Sequence, residues 1–115
     1  TLMNHLNITN DNVDTELVAH ALAYILPAAG YTDLLMAVSP EEGEIVLAFS
    51  SENAIGDFYL KTGLNPCHHV DDLVEGIMAA KRISITQVAV FELVQFPTLY
   101  FALEAIAFPN SIDLN

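Results

Sequence analysis

The densest run of reactive side chains is Cys67-His68-His69-Val70-Asp71-Asp72, with Glu75 one helical turn further on. A thiol, imidazoles and carboxylates are the donors that hold zinc or another transition metal. His68 and Asp72 are four apart, as are Asp71 and Glu75, so each pair shares a face if a helix starts that early. His68 and His69 are adjacent and diverge in most backbones. The metal candidates are therefore His68, His69, Asp71, Asp72 and Glu75. Against them stands a plainer reading, a polar loop feeding a helix whose acidic first turn suits the helix dipole. The plainer reading is preferred, and no metal or other cofactor is expected. Cys67 beside a histidine base would be a nucleophile pair. Catalytic partners normally converge from distant segments, so a small packed thiol is the expectation, and no catalytic residue is assigned. His20 is read as a helix-surface histidine. Tyr24, Tyr31, Tyr59 and Tyr100 are read as core-edge residues.

A second group of carboxylates, Glu41, Glu42 and Glu44, surrounds the turn Ser39-Pro40-Glu41-Glu42-Gly43. A glycosidase-like acid and base would need one carboxyl raised by burial. A hairpin turn lies in water, so these acids form a solvated or partner-facing tip. They belong to a wider pattern. Asp and Glu number 15 against 3 Lys and Arg, a formal charge of −12 at pH 7, yet only 16% of residues are charged. The chain is short of bases rather than crowded with acids. Residues 1–60 hold no Lys or Arg, and Lys61, Lys81 and Arg82 are the only bases.

Such a field repels nucleic acid and anionic membranes, attracts a basic protein, and speeds encounter with it. Direct nucleic-acid binding is excluded, because it depends on cationic groups along the backbone. No phosphate loop exists, since Gly30, Gly43, Gly56, Gly63 and Gly76 are isolated. The partner-binding candidates are Asp11, Asp14, Glu16, Glu41, Glu42, Glu44, Glu52 and Asp57, with Phe58 or Tyr59 as aromatic anchors. The competing explanation is solubility, which net charge confers on a chain that is 53% apolar.

These residues must be positioned by a small set of elements. Asn12 can cap a helix over 13–26, with Leu17, Val18, Ala21, Leu22 and Ile25 on one face, ended by Pro27 and Gly30. Residues 33–38 and 44–49 read as a hairpin across the Pro40–Gly43 turn. Ser51 and Gly63 bracket a short helix over 52–61, with a strand at 57–60 as the alternative. Residues 70–81 are helical. Residues 83–93 read as a strand, and the apolar run Val88–Phe91 predicts a central, two-sided position for it. Pro97 opens a last helix over 98–107. The resulting class is α+β: a two-layer, mostly antiparallel sheet of three to four strands, packed with about three to four helices.

One domain over 1–115 is expected, with 1–10 and 110–115 loosely ordered. A narrow sheet exposes its edges, which either a fourth strand or oligomerisation would cover, and the large apolar fraction leads us to expect a homodimer. The single cysteine fits a reducing compartment, the cytoplasm. No signal peptide is expected from residues 2–10, which are polar and lack a basic start. Val88–Phe108 is interrupted by Glu92, Gln95, Pro97, Thr98 and Glu104, so no membrane span is expected.

In size and charge the chain resembles immunity proteins against toxic nucleases and viral proteins that imitate nucleic acid. That resemblance carries no residue assignments. It implies a small inhibitor covering a partner's basic surface. The helix–strand–strand opening loosely resembles type III secretion chaperones, which are small acidic dimers. That alternative requires a strand at 57–60. The third alternative is a metal-binding protein or enzyme built on residues 67–75.

Overall fold

The computed structural model describes residues 14–65 and 72–109. The first helix, α1 (Thr15–Ala28), is capped by Asp14, whose Oδ1 accepts the N–H groups of Glu16 (3.0 Å) and Leu17 (3.2 Å). Asn12, the expected cap, lies outside the described residues. Asp14 serves as the cap because its carboxylate satisfies two otherwise unpaired donors. Pro27 lies inside the last turn rather than beyond it. So near the end it forfeits only one bond, and the turn closes through Ala29 N–H to the Ile25 carbonyl at 2.9 Å.

Two strands follow, β1 (Leu34–Ser39) and β2 (Glu44–Phe49), antiparallel with Leu34 opposite Phe49 and Ser39 opposite Glu44. Gly43 takes φ 66°, a left-handed conformation that glycine adopts without strain. Its N–H bonds the Ser39 carbonyl at 2.9 Å, and Ser39 Oγ accepts the Glu42 N–H at 3.1 Å. The helix α2 (Glu52–Thr62) begins where Ser51 Oγ accepts the Ala54 N–H at 3.1 Å. It ends at Gly63, with φ 68°. Residues 57–60 are therefore helical, not a strand.

The helix α3 (Asp72–Lys81) leads through a 3-10 turn, Ile85–Gln87, to β3 (Val88–Glu92). A second 3-10 turn, Leu93–Gln95, then runs into α4 (Phe96–Ala107), with Pro97 in its first turn.

The sheet order is β1-β2-β3, antiparallel throughout. The strand expected over 83–93 is thus shorter, and among the described residues it is an edge rather than the centre. Its apolar run is buried by helices on each face, not by strands on each side. Ala89 and Phe91 join the main core, whereas Val90 packs with Val46 and Val74 on the opposite face. The central strand is β2, in which all six residues are buried.

The main core lies between the sheet and α1, α2 and α4. Val18, Leu22 and Ile25 of α1 meet Ile45, Leu47 and Phe49 of β2 and Leu99 and Leu103 of α4. Phe58 sits at its middle, with ring centroids 5.2 Å from Phe49, 5.4 Å from Tyr31 and 6.1 Å from Phe91. The α+β arrangement of helices packed on a small antiparallel sheet is therefore as expected. On the reverse face α3 adds a smaller cover, with Val74, Ile77 and Met78 packed over Val46 and Val90.

Candidate functional site

The candidate acids do not form one patch. Glu41 and Glu42 are exposed on the hairpin loop, while Glu52 opens α2 beyond the far end of β2. A six-residue strand separates them by roughly 20 Å. Asp57 lies with the far group. It accepts the Tyr31 hydroxyl at 3.4 Å and pairs with Lys61 Nζ at 3.4 Å. Asp14 and Glu16 are exposed at the start of α1, which packs beside β1. Asp11 lies outside the described residues.

Glu44 departs from expectation: it is only 8% exposed. It is the first residue of the central strand, with Ser39 and Glu92 opposite it on the two neighbouring strands, so it is no part of an exposed tip. Phe58 is fully buried and anchors the core instead of a partner. Tyr59 is half-buried, and burial raises its hydroxyl pKa. Tyr31 is buried, and its pKa is pushed up to about 12, first by burial and then by the Asp57 carboxylate. His20 is exposed on α1.

Of the metal candidates, His68, His69 and Asp71 lie outside the described residues, as does Cys67 and the side chain of Asp72. Glu75 is exposed on α3. Among the described residues, no three His, Cys, Asp or Glu side chains gather to hold a metal ion, and no helix is long and apolar enough to cross a membrane.

What the strand order creates is an open edge. Among the described residues β1 pairs on one side only, with β2. Each of its six residues is half-buried. Successive side chains point to opposite faces of the sheet, and a cavity flanks the strand on each face. On the α1 side a cleft of about 270 Å³ is lined by Leu22, Leu26, Pro27, Tyr31, Leu34 and Met36. On the α3 side a cleft of about 360 Å³ includes Leu35, Ala48, Lys81 and Arg82. Acids bound the strand at both ends: Asp33 precedes it, and Glu41 and Glu42 follow it, all exposed.

Neither this edge nor the cleft beside Lys81 and Arg82 is among the sequence candidates. The hairpin signal identified β1 as a strand, but which strand ends a sheet depends on long-range pairing. No protein-family model matches this chain, and neither a curated protein nor a solved structure matches it.

Proposed function

We propose that this chain is an acidic protein-interaction module that captures an extended, basic segment of a partner as an added strand on β1. The observation that carries the reading is the open β1 edge, bounded by Asp33 at one end and Glu41 and Glu42 at the other. Main-chain bonds along an edge supply affinity, and the apolar cleft on the α1 side supplies selectivity for side chains. The acids and the net charge of −12 steer a basic partner and exclude acidic ones. The role is that of an inhibitor or immunity-type protein that masks a basic surface, working in the cytoplasm by binding rather than catalysis. An adaptor of the secretion-chaperone kind is the weaker alternative, because residues 57–60 are helical.

A peptide alternating valine and lysine tests this reading. Its binding is expected to slow hydrogen exchange at the backbone amides of Leu34–Ser39. The double change Glu41→Lys and Glu42→Lys is expected to slow association strongly at low salt and weakly at high salt. Protection confined to other segments, or an association rate indifferent to those changes, would overturn it.

A further inference from the structure

We infer that the cleft between the start of β1 and the C-terminal end of α3 is a binding site for a small aliphatic carboxylate. The inference is independent of the strand-capture reading, because it rests on side chains of the cleft rather than on the main chain of β1.

In a chain so short of bases, two of the three converge on this one cleft, Lys81 and Arg82. The third, Lys61, is already paired with Asp57. Among the described residues, neither Lys81 nor Arg82 makes an ion pair. The helix dipole accounts for a cation at the end of α3, but not for the conformation of Arg82. Arg82 has φ 58°, the one non-glycine residue with positive φ among those described. It occupies the left-handed position of a helix stop, closed by the Ile83 N–H donating to the Met78 carbonyl at 3.1 Å. Glycine is favoured there and arginine is strained. The strain is retained at the mouth of a cleft, a place where function commonly accounts for it.

The rest of the lining sets the ligand class. Leu34, Leu35, Ala48 and Ile83 provide an apolar wall, while Thr32, Ser50 and Gln87 provide polar groups. The volume, about 360 Å³, lies within the small-molecule range. Lys81 and Arg82 carry two positive charges and Asp33 one negative, so the lining is positive by one. That balance fits a monoanion with a short apolar body, a carboxylate in preference to a doubly charged phosphate.

Titration followed by amide NMR decides the matter, using isovalerate, its neutral isostere isovaleramide, and inorganic phosphate. Isovalerate is expected to produce saturable shifts at residues 32–35, 48–50 and 81–87, with isovaleramide and phosphate failing to saturate over the same range. Arg82→Gly removes the guanidinium and supplies the residue that the backbone favours, so it tests binding without threatening the fold. Both Arg82→Gly and Lys81→Gln are expected to weaken isovalerate binding about tenfold, the value of one charge-assisted hydrogen bond. The Arg82→Gly melting temperature should not fall. Equal response to isovaleramide, saturation by phosphate at the same concentrations, or undiminished binding in both variants would overturn the inference. So would the absence of any saturable isovalerate response.

Discussion

Tyr31 links the core to the surface through one hydroxyl. Its ring packs edge-on against Phe58 and Phe49, while its Oη donates to Asp57, which also holds Lys61. Ionising that hydroxyl would place a negative charge in a buried position beside a carboxylate, which is why its pKa rises to about 12. The sign of the effect on stability follows directly. Between about pH 10 and the folded value, the unfolded chain releases the tyrosine proton and the folded chain keeps it. Stability is therefore full below about pH 10 and falls as pH rises towards 12. The slope is at most about 1.4 kcal/mol per pH unit. Denaturant melts across this range should show the decline, and Tyr31→Phe should remove most of it while keeping the ring in place. The Asp57–Lys61 pair is largely exposed and contributes less than about 1 kcal/mol. A decline that persists unchanged in the phenylalanine variant would point to another group.

At the scale of the element, local chemistry sets the boundaries of the helices, and long-range pairing sets the order of the strands. Ser51 and Gly63 fix α2 so fully that Ser51→Ala should cost about 1 kcal/mol, read as a lower urea midpoint at unchanged slope. The same local signals made α2, the hairpin and α4 legible in the sequence. Each has a turn former or cap at its boundary, and each boundary residue acts within a few positions of itself. Phe58 was legible only in part. Gly56 obscures the helical spacing of Ile55, Phe58 and Thr62, so a core residue resembles a surface aromatic near acids. The place of β3 was not legible at all. A run such as Val88–Phe91 is equally apolar whether strands or helices bury it, and here helices do. Nor does spacing reveal that β1 ends the sheet, that Glu44 is buried in the central strand, or that Arg82 takes a positive φ. Lys81 and Arg82 adjoin each other at the end of α3, but the cleft they line is formed with β1 and β2, from distant sequence.

For the whole molecule, the β1 edge, open among the described residues, and the negative field together set what the proposed strand capture would favour. A second copy is the obvious candidate, since antiparallel pairing of two β1 strands would join two sheets. A symmetric pairing that sets Leu34 opposite Ser39 of the partner brings Asp33 of one protomer beside Pro40 and Glu41 of the other. It does so twice, between chains that each carry −12. Like charges at such separations repel, and salt relieves the repulsion over a Debye length of about 10 Å at 0.1 M. A basic segment meets attraction at the same positions, and salt weakens it. The two occupants therefore respond to salt in opposite directions. Sedimentation of the chain alone should show self-association that strengthens with added salt. Capture of the alternating valine–lysine peptide should weaken over the same range. A dimer that is tightest at low salt would have to form elsewhere. The surface to examine would then be the α1–α4 side, where Tyr24, 59% exposed, stacks on Phe108 with centroids 6.5 Å apart. That contact is apolar and leaves the β1 edge open, so such a dimer would still present two edges to basic partners.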